Sequence, residues 1–204
     1  MRRTDPVRKK RSPLRNSLSR GIRYGLIVLL GYLMHVCVMP YFKLNGVLPH
    51  MMITVLSIIT VANGRLRAYW TGCIFGIISE AMRPTLTFLN LFMYPVLSLI
   101  AGLLFADKSE QRLEAERSVN QYARNMNPYV RTPLCSIVCM LIYEVFNVGY
   151  IYIGGTDLTP DHITRALTGI LATLLLTLVL MLPVRRFLGV RRPRRASRLP
   201  ESFQ

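Results

Sequence analysis

Acidic residues are scarce in this chain. Its 204 residues include 10 Asp and Glu against 26 Lys and Arg, and charged residues make up only 18%, below the roughly 25% of an average soluble domain. A net charge of +16 on so few charged positions excludes an ordinary soluble enzyme. Cysteine is sparse too. Cys37, Cys73, Cys135 and Cys139 all fall inside apolar runs, where a thiol behaves as a small hydrophobe. That excludes a disulfide scaffold. Cys135 and Cys139 share a helical face, yet no His or carboxylate beside them completes a metal set. His-x-x-x-His, Glu-x-x-x-His and paired-Asp spacings are absent, as is any Ser/His/Asp or Cys/His arrangement readable from spacing. No catalytic residue, metal ligand or cofactor site is expected.

Apolar residues are abundant, at 51% of the chain, with a mean hydropathy of +0.33. High apolar content and high net charge coexist because the charge is confined to a few segments. This pattern predicts an all-α integral membrane protein with basic cytoplasmic ends. A bilayer core about 30 Å thick needs about 20 mostly apolar helical residues. Six candidate spans follow: Ile22 to Val38, closed by Met39-Pro40; Val47 to Ala62, opening at Leu48-Pro49; Ala68 to Met82; Phe88 to Ala106; Thr132 to Ile153, closed by Gly154-Gly155; and His162 to Phe187, with Asp161 as N-cap. The second and third are short, and Asn63-Gly64-Arg65-Leu66-Arg67 would join them as a hairpin. The organisation is a basic arm over 1–21, a six-helix domain over 22–187 with a loop at 107–131, and a basic tail over 188–204.

Basic residues set the orientation, because Lys and Arg favour cytoplasmic loops. Nine lie in residues 1–23, two at Arg65 and Arg67, five in the 107–131 loop and seven from Arg185 onward. The opposite face holds only Lys43, Arg83 and Arg165. Both termini are therefore expected in the cytoplasm. No small-x-small cleavage site follows the first apolar run, so that span is expected to remain. The basic tails lack stacking aromatics apart from Phe203 and lack a nucleic-acid fold. Beside a membrane they attract anionic lipid, at about 1 kcal/mol per basic residue, with an acidic cytoplasmic partner as the alternative. Residues from Asp107 to Arg117 are rich in helix formers and are expected to continue the fourth span as a solvated helix, with partner docking as the sharper alternative.

Carboxylates in hydrocarbon are costly and must face protein or water. Glu80, at the end of the third span, can snorkel outward or pair with Arg83. Glu144 lies deeper in the fifth span with Asn147 on its face, and a buried hydrogen-bonding role is expected. His35, His50 and Asn90 lie near outer span ends without forming a recognisable relay. Gly72-Cys73-Ile74-Phe75-Gly76 is a small-x-x-x-small motif that lets helix backbones approach. Gly21 with Gly25, and Ala166 and Gly169 with Thr173, offer further small faces. Tyr41, Phe42, Phe88, Phe92, Tyr150 and Tyr152 suit an outer aromatic belt.

The block Leu48-Pro49-His50, the apolar second span, Asn63-Gly64-Arg65 and Gly72-Cys73-Ile74-Phe75-Gly76-Ile77-Ile78-Ser79-Glu80 resembles the rod shape-determining protein MreD family over roughly residues 40–105. Glu80 stands where that family usually has Asp, and His50 departs from its usual acidic or amide residue. The resemblance implies a non-enzymatic subunit of the bacterial cell-elongation machinery in the cytoplasmic membrane. It would bind an MreC-like protein and act indirectly with MreB, RodA and the elongation transpeptidase. Pro49, Gly72, Gly76 and Glu80 would serve helix packing and partner contact. MreD-like proteins resemble in fold the S components of energy-coupling-factor vitamin transporters, and such a substrate-binding subunit is the alternative reading. The short outer loops, with Lys43, Asn45, Thr85, Thr87, Asp157 and Asp161, are thin for a vitamin site.

Overall fold

A computed structural model describes residues 13–43, 46–82, 88–107, 115, 116, 118, 126–155 and 159–188, with side chains from residue 21 onward. It is almost entirely helical. The helices are α1 (Pro13–Leu33), α2 (Met51–Asn63), α3 (Arg65–Met82), α4 (Leu89–Phe105), α5 (Pro128–Ile153) and α6 (Pro160–Leu188). Three are long and apolar enough to cross a membrane: the α1 segment over Gly21–Tyr41, α5 and α6. The helices α2 and α4 are shorter and apolar.

The 13 residues of α2 span about 20 Å at 1.5 Å per residue. Every residue from Met51 to Val61 is buried, the pattern of a helix that is apolar all round. All five other helices contact it. It is thus the hub of the bundle, while Leu29, Leu30 and Leu33 of α1 and Leu171, Leu175 and Val179 of α6 face outward.

Several boundaries differ from those the sequence predicts. Helix α1 begins at Pro13, inside the stretch read as a basic arm. It passes into a π-helical turn over Met34–Val38 and a 3-10 turn over Met39–Tyr41, where Pro40 removes a backbone donor. Pro49 does not open α2. It lies ahead of it, with His50 as the N-cap. The five-residue connector before α3 contracts to Gly64 alone, at φ 85°, a left-handed conformation that suits glycine. Asp161 is not the cap of α6 but lies within its first turn, and the His162 N–H bonds to the Thr159 carbonyl. The expected solvated continuation of α4 fails at its first step, because Ala106 is extended (ψ 151°) and ends the helix. Most of the remaining loop, both ends of the chain and Arg83 lie outside the described residues.

Candidate functional site

Three polar constellations are built into this apolar bundle. The first closes the hairpin of α3 and α4. A Cβ at Gly72 would stand 2.5 Å from Ser98 Oγ and 2.6 Å from the Tyr94 carbonyl oxygen, so only glycine lets the two backbones meet there. One turn on, a Cβ at Gly76 would lie 3.1 Å from the Asn90 carbonyl oxygen and 3.3 Å from that of Leu91. Pro95 deprives the Leu91 carbonyl of its usual helical donor, and α3 approaches at that point. Gly72 and Gly76 are both buried and serve packing within the α3–α4 pair. Pro49 is buried as well.

Glu80 belongs to the same hairpin. Its carboxylate turns to backbone donors of α4, while the pairing with Arg83 lies outside the described residues. Oε1 accepts the Phe88 N–H at 2.8 Å and Oε2 accepts the Asn90 N–H at 3.2 Å. Phe88 is the N-cap of α4, adopts the left-handed conformation (φ 63°) and has no capping side chain. Glu80 therefore caps α4 from the end of α3, satisfying two donors that a helix start leaves without partners.

The second constellation is a chain of rings. His35 and His50 stack with centroids 6.0 Å apart. His50 meets Tyr143 at 4.7 Å, Tyr143 meets Tyr94 at 6.2 Å, and Tyr94 meets Phe75 at 6.4 Å. The chain joins the turn after α1, the start of α2, and helices α5, α4 and α3. His35 lies in the π-helical turn, a local distortion frequent at functional sites. The His50 N–H donates to Thr173 Oγ1 at 3.0 Å, which adds α6. Beside this chain Glu144 is half-buried, with Asn147 one turn on within reach of its carboxylate. A Cβ at Gly169 would lie 3.3 Å from Glu144 Oε1, so the small face of α6 makes room for that carboxylate. Deeper in the bundle, Thr177 Oγ1 bonds Thr54 Oγ1 at 3.1 Å, Ser136 Oγ at 2.9 Å and the Thr173 carbonyl at 2.7 Å. These hydroxyls tie α2, α5 and α6 together, as polar side chains do between membrane helices. Thr54, Ser136, Thr173 and Thr177 stand in apolar runs, and that contrast is the signal that could have found them.

The third constellation joins Arg131 and Arg185, which the sequence places in a loop and a tail. Both are buried side chains within helices α5 and α6. Arg131 forms an ion pair with Asp107 at 2.6 Å. The Arg185 guanidinium lies over the Tyr129 ring, 5.2 Å from its centroid.

Among the described residues no group of three His, Cys, Asp or Glu could hold a metal ion. All four cysteines are free thiols, with Cys135 and Cys139 buried. Tyr41, Phe42, Phe88, Phe92, Tyr150 and Tyr152 are exposed. Comparison of the chain with protein-family models, with curated proteins and with solved structures returns no match.

Proposed function

We propose that the chain is a non-enzymatic, multi-pass subunit of the bacterial cell-elongation machinery, resembling MreD. In this reading all six helices lie in the cytoplasmic membrane with both termini inside, and the fold is like that of the S components. The short, buried α2 is carried within the bundle and need not face lipid. The observation that carries the reading is the α3–α4 hairpin. Gly72, Gly76 and Glu80, the residues of the family-like motif, converge on a single structural role. The two glycines close the helix pair, and the carboxylate caps its second member. A scaffold that presents a fixed surface to an MreC-like partner needs such a rigid element. The outward apolar faces of α1 and α6, and Gly21 and Gly25 with nothing within 4 Å of an added Cβ, leave room for a partner helix.

The substrate-binding S component is the second reading. It is favoured by the ring chain and Glu144, which gather imidazole, phenol and carboxylate groups around the C-terminal half of α5. A mild-detergent pull-down of the tagged protein from its own membranes separates the two. Co-purification of an MreC-like protein supports the elongation reading. Recovery of paired ATPases with a coupling subunit refutes it and moves attention to a ligand beside His50 and Glu144.

A further inference from the structure

Arg131 and Arg185 meet where the C-terminal ends of α2 and α6 and the N-terminal end of α5 come together. Their residues are 5% and 8% exposed, and buried charges are normally paired. The two guanidinium groups are close enough to repel each other, and Asp107 attracts Arg185 as well as pairing with Arg131. Among the described residues, Asp107 is the single carboxylate seen to balance these two cations, and its side chain is 57% exposed.

The unused hydrogen-bonding capacity points the same way. Arg131 Nη2 donates to the Val61 carbonyl at 3.4 Å, but its Nε has no acceptor. Arg185 Nη1 has none. The Tyr129 ring covers the face of the guanidinium and takes none of its N–H donors. Asn63 Nδ2, two residues beyond Val61, is also buried without an acceptor. Every orphan here is a donor, and the site carries an excess positive charge. An acceptor-only group of negative charge would satisfy the two guanidinium groups, whose planar fork matches phosphate oxygens bidentately.

We propose that Arg131 and Arg185 form a built binding site for a phosphate group, with Asn63 as a neighbouring donor. The site lies at the end of the bundle that also carries Arg65 and Arg67, at the level of lipid headgroups in the membrane reading. An anionic phospholipid headgroup and a soluble phosphate compound share this chemistry. The site is made of helix residues and does not depend on the elongation reading.

The test uses the full-length protein in mild detergent and follows thermal unfolding. The probes are phosphatidylglycerol, phosphatidylcholine and inorganic phosphate. Phosphatidylglycerol is expected to raise the unfolding temperature, as any ligand of the native state does, while phosphatidylcholine has little effect. If inorganic phosphate alone reproduces the whole shift, the site is supported and its occupant is a soluble phosphate compound. If phosphatidylglycerol adds to it, the occupant is a lipid. Arg185→Gln and Arg131→Gln should each weaken the response about tenfold in ligand concentration, the scale of one charge-assisted contact. Arg185→Lys, which keeps the charge and loses the fork, should fall between. A tail variant, Arg191→Gln with Arg192→Gln, should respond like the parent. The proposal is overturned if neither phosphatidylglycerol nor phosphate stabilises the unaltered protein. It is overturned equally if the tail variant loses the response and Arg185→Lys keeps it in full.

Discussion

Glu80 holds Phe88 across the end of the α3–α4 hairpin, and the residue it holds is the one non-glycine with a positive φ among the described residues. A bulky side chain in the left-handed region costs about 1–2 kcal/mol, and the carboxylate offsets that cost by fixing the Phe88 N–H and capping α4. Glu80→Ala should therefore lower stability by about 1–2 kcal/mol, the range of a lost helix cap. Glu80→Gln keeps one acceptor oxygen and should lose about half as much. Thermal unfolding of the purified variants decides. Equal stability of Glu80→Ala and the parent would remove the capping role.

Glycine-to-alanine changes should rank by the space each Cβ would meet. Gly72→Ala forces a Cβ to 2.6 Å from a backbone carbonyl and should cost about 1–3 kcal/mol, the scale of overpacking. Gly76→Ala, with its nearest contact at 3.1 Å, should cost less. Gly25→Ala meets nothing within 4 Å and should be neutral or gain up to about 1 kcal/mol from helix propensity. An inverted order would refute the assigned α3–α4 contact.

Thr54 and Thr177 should be coupled. Their hydroxyls bond each other at 3.1 Å inside the bundle, where such pairs average about 0.6 kcal/mol by double-mutant cycle and reach about 1.7. Thr54→Val and Thr177→Val together should therefore cost less than the two single effects added. Strict additivity would mean that the hydroxyls do not interact.

Glu144→Leu should reduce the amount of folded protein in the membrane. The carboxylate fills the space above Gly169, and a branched apolar side chain there loses the Asn147 contact and fits the gap poorly. Gly169→Val should have the same effect from the opposite helix. Wild-type quantities of both variants would exclude a structural role for this contact.

Thiol labelling offers a check on the packing itself. Cys37 is exposed, while Cys135 and Cys139 are buried. A small thiol-reactive dye should modify Cys37 in the folded protein and reach Cys135 and Cys139 only on unfolding. Prompt modification of Cys135 in the native state would contradict the placement of α5.

Much of this architecture is legible in the sequence, because apolar runs broken by Pro, Gly and charge mark helices in any order of assembly. Gly72 and Gly76 at one-turn spacing signal a close helix approach, but that α4 is the helix that fills it appears only in the structure. Three features stay hidden for physical reasons. The Phe88 and Asn90 partners of Glu80 are backbone donors, which leave no residue-type signal. Arg131 and Arg185 look like loop and tail charges, since their burial depends on Asp107 and Tyr129 arriving from other parts of the chain. His35 and His50 are separated by a turn whose π-helical geometry no spacing rule anticipates, so their stacking appears only in three dimensions.

The enclosure of α2 has a consequence for biogenesis. A helix of about 20 Å that is wrapped on all sides reaches its final surroundings only after α5 and α6 have emerged from the ribosome. Until then Thr54 lacks its Thr177 partner, and the segment is too short to rest across a bilayer alone. A chain ending before Pro128 should thus leave α2 without the neighbours that bury it, and α2 should gain its protection from solvent exchange only once α5 and α6 are present.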